Sequence, residues 1–202
     1  MLPPLVGEPS YHGATGNGMK TVTIFGSSLP GEGSAAYAEA RRLGRLLAEG
    51  GFAVCNGGYG GLMEALARGA REAGGHTLGV TCELWTSRVN PGIVEEIRTP
   101  SFFERLTTLI ERGDAYVVLP GGTGTLAELA LVWEMMNKSA LAKTVGGRKP
   151  LLVVSPYWQP VIECLQQEGQ LNSKSAWRAS AMEIVTLITD VGEAVEHLRK
   201  HL

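Results

Sequence analysis

A chain of 202 residues that is 44% hydrophobic and 19% charged is long enough to close one sizeable core, within the range of a single α/β domain. A formal net charge of -2 leaves no basic footprint for nucleic acid, and no Lys/Arg cluster follows an apolar span as membrane binding requires. The expected partners are small molecules rather than nucleic acid or membrane.

Cys55, Cys82 and Cys164 are odd in number and far apart, with no CxxC pair, so neither a disulfide framework nor a zinc site is expected. No apolar segment approaches the roughly 20 residues that span a bilayer, and the first residues lack a basic n-region followed by an apolar one. The expectation is a soluble, cytosolic protein. Residues 1–19, which open "MLPPLVGEPSYHGATGNG", are rich in Gly, Pro and small polar residues and read as a flexible arm. A single domain is expected over 20–202.

From Lys20 the chain alternates strands with helices. "TVTIFG" is a β-branched strand, and "SAAYAEARRLGRLLAEGG" is a helix with Ser34 as N-cap, Leu43, Leu46 and Leu47 on one face, and Gly50 and Gly51 at its stop. "FAVCNGG" leads into the helix "LMEALARGAREAGG", and "HTLGV" is the next strand. A polar connection, "TCELWTSRVNPG", precedes a short extended "IVEEIRT". "SFFERLTTLIERG" is a helix with Ser101 as N-cap and Glu104 as its capping-box partner. The strand "DAYVVLP" feeds a helix from Thr123, and "KPLLVVS", "YWQPVIECLQQEG", "EIVTLIT" and "VGEAVEHLRKHL" complete the series. Strands apolar almost throughout and separated by helices demand a mainly parallel sheet covered on both faces. The fold class is a Rossmann-like three-layer α/β fold.

Three strand-to-helix turns are glycine-rich: "FGSSLPGEGS" with Gly26 and Ser27, "NGGYGGLMEA" with Gly57 and Gly58, and "PGGTGT" with Gly121, Gly122, Thr123, Gly124 and Thr125. In an open parallel sheet such turns lie at the carboxyl edge, where helix starts point free N–H groups at a ligand and glycine lets an anion approach the backbone. Each turn alone is weak evidence, since any tight connection tolerates glycine. Neither GxGxxG with its acidic partner nor GxxxxGK[ST] stands in the required context. Together at one sheet edge they point to an anion site.

The runs "FGSSLPGEGSAAYAEARRLGRLLAEGGFAVCNGGYGGLMEA" and "ERLTTLIERGDAYVVLPGGTGTLAE" closely resemble the LOG family of nucleoside 5′-monophosphate phosphoribohydrolases, many of whose members are labelled "possible lysine decarboxylase". The motif PGGxGTxxE is complete from Pro120 to Glu128, and the arginine expected upstream is matched by Arg105. The resemblance implies hydrolysis of an AMP-like nucleoside monophosphate to free base and ribose 5-phosphate, with no cofactor and no metal. It also implies Glu128 as the carboxylate that stabilises positive charge on the ribose and orients water, Arg105 as the group that positions substrate and keeps Glu128 charged, and a homodimer paired through the helices "SFFERLTTLIER" and "LAELALVWEMM". A first-turn helix position is expected to favour the ionised form of Glu128. Around Arg105 the sequence departs from cytokinin-activating members, with Phe103, Glu104 and Leu106 in place of the family's His and Lys, and Ala127 replaces a frequent second Glu. The base is therefore left open. A lysine decarboxylase would need a pyridoxal-phosphate lysine, and nothing in the sequence marks one.

Plainer readings stand beside these. Glu128 alone is compatible with an ordinary helix-start glutamate, and Arg105 with a surface partner of Glu104 or Asp114. Trp133, Met135 and Met136 suit core or dimer contacts. Tyr59 divides evenly between loop packing and ligand contact, and His76, His197 and His201 lack an acidic ligand cluster. The same fold also serves nucleotide sensors and molybdenum-cofactor carriers, in which an anion is held and no bond is broken, and a scaffold role would leave the three glycine turns without a purpose.

Overall fold

The computed structural model describes residues 18–142, 148–171 and 183–202, so the arm expected over 1–19 falls almost wholly outside the described residues. The strands are β1 (Thr21–Phe25), β2 (Ala53–Asn56), β3 (Thr77–Cys82), β4 (Glu95–Thr99), β5 (Ala115–Val118), β6 (Leu151–Val154) and β7 (Val185–Ile188). The helices are α1 (Ala35–Glu49), α2 (Leu62–Glu72), α3 (Phe102–Arg112), α4 (Thr123–Ala142), α5 (Gln159–Leu171) and α6 (Val191–His201). Local signals set most of the ends. Ser34 Oγ accepts from the Tyr37 N–H at 3.2 Å, and Ser101 Oγ from the Glu104 N–H at 3.2 Å, so each serine satisfies a helix-start donor. Glu104 completes its box differently, accepting from the Ser101 hydroxyl at 3.1 Å. Gly51, at φ +82, carries the chain out of α1 through a left-handed turn.

The seven strands form one sheet in the order β4-β3-β2-β1-β5-β6-β7, and every pairing is parallel. Strands β1, β2, β3, β5 and β6 are buried along their whole length, whereas β4, at one edge, exposes most of Glu95–Thr99. Burial on both faces explains the continuous apolar runs of the central strands. One face packs on α1, α2 and α6 through residues such as Leu43, Leu66 and Leu198, and the other on α3, α4 and α5 through Leu109, Val132 and Ile162. Helices α1 and α2 touch almost backbone to backbone, since a Cβ on Gly44 would fall on the Leu66 carbonyl and one on Gly69 on the Arg41 carbonyl.

The chain builds the sheet outward from β1 to β4 and then returns to the other side of β1 to lay down β5, β6 and β7. The βα connections leaving β1 and β5 therefore diverge to opposite faces. The crevice between them, at the carboxyl ends of the strands, is where this fold class takes its ligands.

Candidate functional site

Strands β1 and β5 end level, with Phe25 beside Val118, so their loops begin side by side. The Leu119 N–H donates to the Phe25 carbonyl at 2.9 Å, the Ser27 N–H to the Pro120 carbonyl at 3.1 Å, and the Leu62 N–H to the Ser27 carbonyl at 2.9 Å. The first loop is thereby laced to the β5 loop and to the start of α2. Asn56, buried at the end of β2, accepts from the Gly58 N–H at 2.8 Å and donates through Nδ2 to the Met63 carbonyl at 3.1 Å, which closes the turn between β2 and α2. Gly61 turns at φ +67, and a Cβ there would strike the Ser28 backbone.

A cavity of about 620 Å³ opens among these loops. Gly26, Ser27, Gly122, Thr123, Gly124, Thr125, Arg105 and Glu128 line it. Gly57, Gly58 and Gly121, expected to touch ligand, lie behind that lining instead, and their role is to admit neighbours. A Cβ on Gly57 would collide with Arg105 Nη2 and lie 2.7 Å from Met63 Sδ, one on Gly58 would lie 2.9 Å from Thr81 Cγ2, and one on Gly121 would collide with the Thr125 hydroxyl. The cavity also takes Leu29, Tyr59, Trp85, Ser87, Arg88 and Phe102, of which the sequence singled out Tyr59 alone. For Trp85, Ser87 and Arg88 the signal is the polar connection from Thr81 to Gly92 that carries them.

At the start of α4 the first helical bond runs from the Leu126 N–H to the Gly122 carbonyl at 3.0 Å, so the preceding N–H groups are the free donors of a helix start. Gly122 is not in the left-handed region, and a Cβ there would meet nothing within 4 Å. Its glycine matters for approach from the cavity and not for backbone strain. Gly122→Val is expected to keep the thermal midpoint and to weaken AMP or inorganic phosphate binding by about 10–100-fold, since each charge-assisted bond contributes about 1.5–3 kcal/mol. Isothermal calorimetry of the two proteins checks this, and equal affinities would remove the anion site.

Arg105 is buried, its side chain only 6% exposed, and Glu128 across from it is 12% exposed, with Nη1 to Oε1 at 3.5 Å. Two further donors are fixed on backbone: Nε donates to the Val80 carbonyl at 2.9 Å and Nη2 to the Gly57 carbonyl at 3.3 Å. The plainer reading of Arg105 as a surface partner of Glu104 or Asp114 does not hold, because Asp114 is taken by Lys20 at 3.1 Å and Glu104 by Ser101. The charge on Glu128 also departs from expectation. Counting from Thr123, Glu128 stands in the second turn of α4, and the first turn holds no acidic residue. Burial pushes its carboxyl from the ordinary 4.5 up to about 7, against the opposing pull of Arg105. A helix dipole contributes about 0.3–1 kcal/mol and fades beyond the first turn, whereas this rise corresponds to about 3 kcal/mol, so desolvation wins. Among the described residues no group of three or more His, Cys, Asp or Glu gathers as a metal site, and no helix is long and apolar enough to cross a membrane.

A wholly parallel, doubly covered sheet with a cavity at the β1/β5 switch point defines a Rossmann-like α/β protein, a class that takes ligands at the carboxyl edge of its sheet. Within that class, the SLOG cluster4 family model (LDcluster4) matches residues 19–168, and the chain belongs to this LOG-like family. It is similar to the cytokinin riboside 5′-monophosphate phosphoribohydrolase of Rhodococcoides fascians, 30% identical over 153 residues, covering 73% of this chain and 74% of that one. A probable enzyme of the same name from Oryza sativa subsp. japonica is 36% identical over 142 residues, 69% of this chain and 61% of the rice protein. Among solved structures, the molybdenum cofactor binding protein of Rippkaea orientalis shares the fold at 23% identity and a TM-score of 0.66, covering 90% of this chain and 96% of that one. The molybdenum cofactor carrier protein of Chlamydomonas reinhardtii does so at 22% identity and a TM-score of 0.60, covering 90% and 97%.

Proposed function

We propose that the protein hydrolyses the N-glycosidic bond of a nucleoside 5′-monophosphate, AMP-like in charge and size, giving free base and ribose 5-phosphate. The observation that carries the reading is the buried Arg105–Glu128 pair, 3.5 Å apart, opening on the same cavity as the start of α4. The phosphate seats on the N–H groups from Gly122 to Thr125 with Ser27 opposite, and the ribose extends toward Glu128. As the glycosidic bond breaks, its electrons leave with the base, which gains a proton, and the sugar becomes oxocarbenium-like. Ionised Glu128 stabilises that charge and orients the water whose oxygen bonds to the anomeric carbon; the proton this water loses balances the one the base takes up. Arg105, anchored on two carbonyls, holds the carboxylate in place. The names of the relatives support this reaction class. The likeness to molybdenum-cofactor proteins is one of fold, and the Arg–Glu pair favours bond breaking over simple carriage. We place the reaction in the cytosol, in keeping with the free thiols of Cys55, Cys82 and Cys164. Incubating the protein with a panel of purine and pyrimidine monophosphates, and following free base and ribose 5-phosphate, tests the reading. If a monophosphate binds tightly yet no base is released, the binding-module reading replaces it.

We further infer a homodimer through α3 and α4. Trp133 and Met136 are buried within the chain, but Phe103 is 76% exposed, Met135 39% and Leu126 38%, leaving an apolar surface on these two helices. Light scattering is expected to give twice the chain mass at micromolar concentration, and a fully active monomer would defeat the inference.

A further inference from the structure

The connection between β3 and β4 is polar in sequence, yet it carries Trp85, 38% exposed at the cavity's edge. Local backbone sets its place. The Trp85 N–H donates to the Cys82 carbonyl at 3.3 Å, and the Cys82 N–H donates to the Tyr59 hydroxyl at 2.9 Å, so the turn is tied to the β2 loop. The Tyr59 and Trp85 rings meet edge to face, 5.6 Å apart at 74°, and Phe102 packs against Trp85 at 6.0 Å and 65°. Arg105 Cζ lies in the corner of the first two rings, 5.1 Å from the Trp85 centroid and 5.7 Å from that of Tyr59. Each nitrogen of the guanidinium turns one of its five N–H donors in plane toward Val80, Gly57 or Glu128. The cation also lies over the two rings, an attraction that is strongest when water is excluded.

We propose that Trp85 is a positioning residue for the reaction, its ring holding the Arg105 guanidinium against Glu128 and keeping water from the pair. The inference rests on the hydrolase reading, because the pair it protects is the one assigned to catalysis there. Besides Glu128, the charged and titratable groups that line the cavity are Arg105 from α3, which pairs with the carboxyl, Arg88 from the same connection as Trp85, and Tyr59 from the β2 loop. Arg105 and Tyr59 are the two that Trp85 touches.

The test compares Trp85→Ala with Trp85→Phe by two readouts: the Glu128 carboxyl resonance followed against pH by ¹³C NMR, assigned by its loss in Glu128→Gln, and steady-state base release. Loosening Arg105 would raise the carboxyl and admitting water would lower it. Since burial is the larger influence, Trp85→Ala is expected to lower the midpoint by about one pH unit. Turnover falls about tenfold with KM changed less than about threefold, as expected for losing a contact of about 1.4 kcal/mol that acts on the transition state. Trp85→Phe restores both. An unmoved midpoint, or a loss confined to KM that varies with the base offered, overturns the proposal and makes Trp85 a stacking surface for the base. If the wild-type protein releases no base, the hydrolase reading fails separately, and the NMR midpoints of the two variants still decide whether Trp85 governs the pair.

Discussion

Glu128→Gln is expected to lower base release by about 10²–10⁴-fold, the usual loss for a positioned acid–base group, while AMP or phosphate still binds at the start of α4. The amide keeps the size of the side chain but cannot carry the negative charge that offsets an oxocarbenium-like ribose. Its stability should move the other way. In the folded protein Glu128 ionises near pH 7, but in the unfolded chain near 4.5, so the folded state holds its proton longer. The stability tied to that neutral carboxyl is fully present below pH 4.5 and is lost as pH rises toward 7, a change of about 3 kcal/mol. Gln removes this penalty, so the variant should melt at a higher temperature than wild type at pH 8 and at a similar one at pH 4.5. Wild-type kcat/KM should rise with pH through about 7 as the free enzyme's carboxylate forms, and the acid limb should vanish in the variant. A rate that instead falls as pH rises through 7 would make Glu128 a proton donor and not a stabilising carboxylate.

The elements were legible because their determinants are local. Ser34 and Ser101 mark helix starts within three residues of the N–H groups they accept from, and Gly50 and Gly51 end α1 where its apolar face runs out. The expected sheet was mainly parallel and the observed one is wholly parallel, with β4 the one strand whose polar face betrays an edge. The site was half legible. That the β1, β2 and β5 turns meet follows from their position after strands, but which glycines face ligand and which make room for a side chain does not. Gly57 and Gly122 look alike in sequence. One is filled by Arg105, which arrives from 48 residues further along the chain, and the other opens on the cavity. The ionisation of Glu128 departs from its local signal for a related reason. Helix position is local, whereas the burial that dominates it is created by distant elements, Arg105 on α3 and the β2 and β3 loops among them.

Arg105→Ala is expected to be the more damaging substitution, because one side chain serves both the architecture and the chemistry. Structurally, it takes donors from the Val80 and Gly57 carbonyls, and it leaves a cavity beneath Tyr59 and Trp85 where the guanidinium lay. Removing one partner of a buried ion pair typically costs about 3–5 kcal/mol, because the other charge is left without compensation. That cost depends on pH here. Below about pH 5 Glu128 is neutral in both proteins and only the lost hydrogen bonds and packing remain, so the difference in thermal midpoint should be smaller there than at pH 8. Chemically, Arg105 is, among the described residues, the influence that pulls the Glu128 carboxyl down, so without it the carboxyl rises further above its ordinary value and is mostly protonated at neutral pH. Turnover should therefore fall at least as far as in Glu128→Gln, with weaker nucleotide binding as well, since the Arg105 side chain also lines the cavity. Raising the pH should recover part of the activity of Arg105→Ala as the carboxylate forms, which Glu128→Gln cannot do. Activity in Arg105→Ala that stays flat from pH 7 to 9 would show that the arginine acts on the substrate alone and not through Glu128.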